Sequence, residues 1–407
     1  MGPRVVIIGA SLAGLRSAEA VLAALPNAQI TLIGDEPHAP YNRPPLSKEA
    51  VAGLVGADAL AREATLAKLV FKHRLPEGAV TWRLGCRAAA VQADLRQVTL
   101  SDGVMLPYDW LIAATGLRPR RLPFAGLEDR RHVLRSFEDA TRLAASFRPG
   151  ARLVVVGAGF IGCEIAATAM KLGLHACVIE PQSQPMLAAL GPQVAAAMAS
   201  FHRAQGVDLR CGLAVTGLTD AGIALSDGSE VPADVIVEAV GSTPNTEWLQ
   251  GAGLDLANGV LTDATLTARG NDRILAVGDM ARFPNPLFGP DPRRVEHWCV
   301  PGQTAKRAAE TIAARDAGQE PLTRFAPLPS FWSDQHGLRL QSFGAPGLGD
   351  DIRLLEGSLA SLGQAPCLVE YHRAGRAVGL LGLGAAPAAL AQHRARLETA
   401  LNETLVA

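Results

Sequence analysis

Two stretches decide how this chain is read. Arg4-Val5-Val6-Ile7-Ile8-Gly9-Ala10-Ser11-Leu12-Ala13-Gly14 comes first, and Arg152-Leu153-Val154-Val155-Val156-Gly157-Ala158-Gly159-Phe160-Ile161-Gly162 repeats its grammar. In each, a run of β-branched residues enters a glycine-rich turn that opens a helix, the arrangement that binds a dinucleotide. With 41 glycines in 407 residues, one such string carries little weight; a pair in matching contexts carries much more. The first glycine makes the tight turn, the second lets backbone approach a pyrophosphate, and the third lets helix and strand pack closely. The helix N-terminus then faces the phosphate charge. Gly9, Ser11, Ala13 and Gly14 form the first candidate set, and Gly157, Gly159, Phe160, Ile161 and Gly162 the second. Ser11 stands where the middle glycine would be, but it is small and its hydroxyl is able to donate to phosphate.

Working outward, strands at residues 4–8 and 29–33 flank a helix at 11–25, and strands at 152–156 and 176–179 flank a helix ending near 172. Acidic residues follow both second strands, Asp35 and Glu36 in one copy and Glu180 in the other, where a carboxylate accepts ribose hydroxyls. Glu180 would repel a 2′-phosphate, and Pro181 to Gln184 supply no cationic clamp, so NADH is expected over NADPH. Two further strands, 110–114 and 235–240, each follow an Asp-Gly hairpin signal and end at Thr115-Gly116 and at Gly241. A strand at 274–277 ends at Gly278-Asp279 and returns the chain to its first domain. The expected architecture is α/β. One Rossmann-like domain comprises residues 1–112 and 241–320, a second comprises 113–240, and a small C-terminal α+β domain of short alternating strands and a closing helix covers 321–407.

The bulk properties narrow the function. A chain this long exceeds a single core, which agrees with several domains. Lys plus Arg total 38 and Asp plus Glu 39, so no net charge draws the molecule to nucleic acid or anionic lipid. The longest uncharged stretch, residues 377–391, is broken by glycines and a proline and is too short to span a bilayer. The residues before the first strand leave no room for a secretory signal, so a cytoplasmic protein is expected. Six scattered cysteines, Cys86, Cys163, Cys177, Cys211, Cys299 and Cys367, show neither disulfide nor zinc spacing, and no metal site is expected.

Further strings resemble a known group. They are Tyr41-Asn42-Arg43-Pro44-Pro45-Leu46-Ser47-Lys48, Ala114-Thr115-Gly116, Ala276-Val277-Gly278-Asp279, Arg294-Val295-Glu296-His297-Trp298 and Phe331-Trp332-Ser333-Asp334-Gln335. The chain resembles the FAD- and NAD-dependent ferredoxin reductases of bacterial oxygenase systems, of the putidaredoxin reductase and biphenyl dioxygenase ferredoxin reductase type, with apoptosis-inducing factor as a relative. That resemblance implies a glutathione-reductase-like fold and FAD in the first domain. Asp35 or Glu36 would take the adenine ribose, Arg43 and Arg135 would lie near the phosphates or flavin, and Asp279 would hold the ribityl chain. Thr115, Gly116, His297 and Trp298 complete the FAD set, Glu296 would lie near the nicotinamide, and Gly157, Gly159, Phe160, Ile161, Gly162, Glu180 and Gly241 would hold NAD. Lys48 and Glu164 are implied as an ion pair beside the flavin's reactive edge, with Trp332 at the nicotinamide pocket.

The implied activity is hydride transfer from NADH to FAD, followed by single-electron release to a [2Fe-2S] ferredoxin that feeds a ring-hydroxylating dioxygenase or a cytochrome P450. The ferredoxin must bring the cluster, since this chain lacks a four-cysteine set. Arginines at 118, 120, 121, 130, 131, 293 and 294 offer a docking surface for an acidic partner. A monomer or homodimer is expected. Two other readings fit the same motifs: an NADH-controlled interaction protein like apoptosis-inducing factor, and an NADH oxidase or quinone reductase. Disulfide reductases of this superfamily carry Cys-x4-Cys where this chain has Arg43 to Lys48, which removes chemistry through an active-site disulfide. After Trp298 the chain departs from the Asn-Ala of many relatives with Cys299-Val300-Pro301-Gly302-Gln303. Pro301 is acceptable in the first turn of a helix.

Overall fold

The computed structural model describes residues 2–403. It divides into two compact units, one of Met1–Asn42, Val70–Arg118 and Thr243–Pro329, the other of Arg43–Leu69, Pro119–Ser242 and Ser330–Ala407. In the first unit the strands Ile274–Ala276, Trp110–Ala113, Arg4–Ile8, Gln29–Gly34 and Val80–Leu84 lie side by side in that order. Every neighbouring pair is parallel. Parallel strands are covered on both faces, which is why these segments are near-continuous Val, Ile and Leu rather than alternating. Val5, Ile7, Leu32, Ile33, Leu111 and Ile112 are accordingly fully buried. The helix Leu12–Ala24 packs against the helix Val300–Asp316.

The glycines of the turn are needed for two separate reasons. Gly9 has a φ of +118°, and a Cβ there would fall 2.2 Å from the Ala114 carbonyl oxygen. A Cβ on Gly14 would fall 1.8 Å from the Gly9 carbonyl oxygen, so the helix can approach its strand only without a side chain. Asp102-Gly103 turns between Gln97–Leu100 and Met105–Pro107, which pair antiparallel.

The second unit repeats the plan with the strands Asp208–Cys211, His175–Glu180, Arg152–Val156, Val235–Glu238 and Arg131–His132, again all parallel. Gly157, at φ +101°, would set a Cβ 2.3 Å from the Ala239 carbonyl oxygen, and Gly162 one 2.0 Å from the Gly157 carbonyl oxygen. The C-terminal residues of this unit form a five-stranded antiparallel sheet in the order Ser330–Gln335, Leu338–Gly344, Arg376–Leu383, Cys367–Arg373 and Asp351–Glu356. The helix Pro387–Glu403 packs on it, and the last two residues of the helix read at 388–405 lie outside the described residues.

Arg43–Leu69, read from the sequence within 1–112, groups with the second unit. Its polar groups account for this. The Ser47 carbonyl accepts the Thr168 hydroxyl at 2.8 Å, and Lys48 pairs with Glu164. The helix Glu49–Leu54 packs on Phe137–Ser146.

Candidate functional site

In the second unit the helix Phe160–Lys171 starts from Gly159, which offers no side chain to cap it. The first intrahelical bond is Cys163 N–H to the Gly159 carbonyl, at 3.0 Å. Amides of the first turn therefore lack partners within the helix. A Cβ on Gly159 would meet nothing within 4 Å, so the approach to those amides is open. Open approach, helix start and unpaired donors together fit a pyrophosphate. The Glu180 carboxylate is tied to the same turn, accepting from Ala158 N–H at 2.7 Å and Gln182 N–H at 3.0 Å. A carboxylate has roughly four lone-pair directions, so two bonds leave capacity for a ribose diol. Gly241, at φ +95°, follows the neighbouring strand.

In the first unit the helix Leu12–Ala24 starts after Ser11, whose carbonyl receives the Leu15 N–H at 2.9 Å. Beyond the second strand the two acids part company. Glu36 accepts the Tyr41 hydroxyl at 2.5 Å, while Asp35 is exposed beside Arg87 at 3.3 Å. Thr115 donates to the Asn245 carbonyl at 2.6 Å, and the Asn245 amide returns to the Thr115 carbonyl at 3.0 Å, which fixes the Thr115-Gly116 turn. Gly278, at φ +67°, places the Asp279 turn against the first helix; a Cβ there would lie 2.9 Å from that of Ala13. Gly278 N–H donates to Thr304 Oγ1 at 2.9 Å, which joins this turn to the start of Val300–Asp316. Pro301 sits in that helix's first turn, where its missing N–H costs no bond. Gly9, Ser11, Ala13, Gly14, Thr115 and Asp279 thus converge at the carboxyl ends of the parallel strands, the ligand side of such a sheet.

The Arg294 string is ordered by its arginine. Arg294 reaches Asn258 at 2.9 Å, the Asp279 carbonyl at 3.0 Å and Glu296 at 2.9 Å. The Trp298 indole N–H donates to Asn42 at 3.2 Å while the residue is 42% exposed. Burial pushes the His297 imidazole down to about 4, so it is neutral at pH 7.

Lys48 and Glu164 meet at 2.7 Å in the second unit, both largely buried. The Ser47 hydroxyl donates to the same carboxylate at 2.5 Å and the Ser333 hydroxyl at 2.6 Å. Arg43 donates to the Arg135 carbonyl at 2.6 Å. Trp332 stands on the strand Ser330–Gln335 with the Arg339 guanidinium 6.0 Å from its ring, and its neighbour Phe331 packs on Phe160 at 4.7 Å between centroids. Sequence reasoning missed Ser47, Ser333, Gln335 and Asn245 as polar partners. The available signal was the polar residues at alternate positions of the Phe331 to Gln335 string.

The docking surface read from the arginines needs correction at two members: Arg294, with 11% of its side chain exposed and three partners of its own, and Arg131. Arg131 is buried, forked onto Glu238 at 2.7 and 2.8 Å, and also donates to the carbonyls of Leu122, Phe124 and Gly126. It holds the fold together and offers nothing to a partner. Arg118 is exposed but engaged with Glu247 and Asn245.

Residues 3–308 match the family described as pyridine nucleotide-disulphide oxidoreductase. The chain belongs to this family. It is similar to the putidaredoxin reductase CamA of Pseudomonas putida, 35% identical over 88% of this chain and 83% of that one. It is 38% identical to the ferredoxin–NAD(+) reductase component of the anthranilate 1,2-dioxygenase system of Burkholderia cepacia, over 84% and 82% of the two chains. The covalent putidaredoxin reductase–putidaredoxin complex is a structural neighbour, with a TM-score of 0.86 at 30% identity, covering 99% of this chain and 98% of that one. The disulphide of the family's name has no counterpart among the described residues, where all six cysteines are free thiols. Burial raises the thiols of Cys163 and Cys177, which makes them poor nucleophiles. Among the described residues no cluster suits a metal ion, and no helix is long and apolar enough to cross a membrane.

Proposed function

We propose that this protein is the NADH:ferredoxin reductase of a bacterial oxygenase system. It is an FAD-dependent oxidoreductase, and two of the relatives it resembles are named as ferredoxin–NAD(+) reductase components of dioxygenase systems. One observation carries the reading: two complete glycine-turn βαβ units lie in one chain, with Asp35 and Glu36 just after the second strand of the first and Glu180 closing the second strand of the other. FAD, when bound, would supply the redox chemistry, the capacity to accept a hydride and to give up electrons singly. One NADH becomes NAD+, one proton is released, and two oxidised ferredoxins each gain one electron.

The chain's own residues then have separate tasks. The first-turn amides after Gly9 and Gly159 bind diphosphates. Glu180 takes ribose hydroxyls and disfavours a 2′-phosphate. Asp279 accepts hydroxyl hydrogens of the flavin's side chain, with Thr115, Gly116, Arg43 and Arg135 as further contacts. Lys48, held by Glu164, presents an ammonium that stabilises charge arriving on the flavin ring. Trp298 and Trp332 line the ring pockets. The working form is a cytoplasmic monomer or homodimer, and the acceptor is a [2Fe-2S] ferredoxin.

The purified protein is expected to be yellow, to be bleached anaerobically by NADH at a much larger kcat/KM than by NADPH, and to reduce cytochrome c only when a [2Fe-2S] ferredoxin is added. A colourless protein that does not take up FAD would sink the proposal. Cytochrome c reduction at full rate without ferredoxin would remove the ferredoxin assignment alone.

A further inference from the structure

Within the second unit a line of buried polar groups leads away from the Lys48–Glu164 pair. Ser333 Oγ donates to Glu164 Oε1 at 2.6 Å, and Gln335 Nε2 donates to Ser333 Oγ at 2.9 Å. His202 Nε2 lies 2.7 Å from Gln335 Oε1. An amide oxygen only accepts, so His202 carries its hydrogen on Nε2 and donates. Burial depresses the basicity of His202, which agrees with a neutral ring holding a single hydrogen. Ser333 and Gln335 are 0% exposed and His202 1%. All the hydrogens point one way, toward a carboxylate whose other oxygen receives Ser47 and Lys48.

Three polar side chains at such depth cost free energy unless every bond is made, and apolar residues would fill a strand and a helix here without that condition. The line is not a proton wire, because the Gln335 amide does not pass a proton on. It is a row of fixed dipoles ending on one carboxylate. Ser333 and Gln335 lie two residues apart on one strand and so face the same side, while His202 comes from the helix Leu187–Ala204.

We propose that Ser333, Gln335 and His202 are positioning residues that hold the Glu164 carboxylate, and through it the Lys48 ammonium, in the geometry required for flavin reduction. This rests on the reading of Lys48 given above.

The test compares Ser333→Ala, Gln335→Met and Ser333→Thr, with Ser333→Ala repeated in a Glu164→Gln background. Anaerobic stopped-flow bleaching by NADH is read beside the flavin midpoint potential, the NADH Kd, FAD content and Tm. Ser333→Ala and Gln335→Met are expected to slow bleaching about tenfold, the worth of a bond to a charged group. They should also lower the midpoint potential, leave NADH affinity within about twofold and retain FAD. Ser333→Thr, which keeps the hydroxyl, should recover rate and potential. In the Glu164→Gln background Ser333→Ala should add nothing further, because residues acting through one group are not additive. Wild-type rate and potential in both Ser333→Ala and Gln335→Met would overturn the inference alone, as would additive losses in the Glu164→Gln background. Loss of FAD or of Tm in both variants would assign the row to stability and overturn it too. A wild-type protein that NADH fails to bleach would overturn the functional reading and this inference together.

Discussion

Gly157 and Gly159 stand two positions apart in one turn and do different work. A Cβ on Gly157 would strike the Ala239 carbonyl oxygen at 2.3 Å from a φ of +101°, whereas one on Gly159 would meet no protein atom within 4 Å. Gly157→Ala is therefore expected to cost folding stability, on the order of 2 kcal/mol or more. Gly159→Ala should leave stability within about 1 kcal/mol and weaken NADH roughly tenfold, because its methyl group enters only the space kept for the diphosphate. Urea unfolding and NADH titration on the two variants separate the effects; weakened unfolding with unchanged NADH affinity in Gly159→Ala would contradict the assignment. The glycine turns were legible because their spacing is local, and Gly14 and Gly162 answer to the carbonyls of Gly9 and Gly157 five residues earlier, although the carbonyls that demand Gly9 and Gly157 themselves come from the distant Ala114 and Ala239. The anchors of Glu164 were not. Ser47 and Ser333 lie 117 and 169 residues from it, and no period or spacing joins positions so far apart.

At the scale of elements the same contrast holds. Strands such as Arg152–Val156 are runs of β-branched residues buried on both faces, a pattern that has no other easy reading. The strand Ser330–Gln335 escaped, since its inward positions are Ser333 and Gln335 rather than apolar residues. Arg131 escaped in the opposite sense: among neighbouring arginines it looks like surface, yet it is clamped on Glu238, whose side chain is fully buried. Arg131→Met leaves that buried carboxylate only the exposed Arg121, 3.5 Å away, and is expected to lose about 3–5 kcal/mol in urea unfolding. Adding Glu238→Gln to Arg131→Met should recover part of the loss, and a single variant as stable as wild type would show that the pair contributes nothing.

The hairpin between Ser330–Gln335 and Leu338–Gly344 makes its own prediction. His336 and Gly337 form its two-residue turn, both at positive φ, +50° and +82°. Asn-Gly is favoured there, and histidine tolerates that region less well. Burial, with His202 beside it, pushes the His336 imidazole down to about 4, against about 6.5 in an unfolded chain. Between those values the unfolded state binds more protons. The associated stability is whole above about pH 6.5 and is lost as the pH falls toward about 4. His336→Asn should therefore flatten the fall of Tm over that range. His297 shifts in the same direction and remains in the variant, so some acid sensitivity should persist. Parallel Tm profiles for variant and wild type would show that His336 does not titrate in this way.

At the scale of the molecule, two compact units each carry one glycine turn, and that division makes the two nucleotides separable by experiment. A ligand that binds only the folded state stabilises it by mass action, about 2.7 kcal/mol at a hundredfold excess over Kd. Stripping FAD should lower Tm, and its return should restore it in a concentration-dependent way. Amide hydrogen exchange then reports where each ligand acts. FAD added to the stripped protein is expected to protect the turn from Gly9 to Gly14 and the Gly278–Met280 segment, which Gly278 packs against Ala13. NAD+ added to the FAD-loaded protein is expected to protect the turn from Gly157 to Gly162 and the segment around Glu180, whose carboxylate is already bonded to that turn. Protection of the first turn by NAD+ in the stripped protein, with none in the second, would reverse the assignment of the two βαβ units and, with it, the roles given to Asp279 and Glu180.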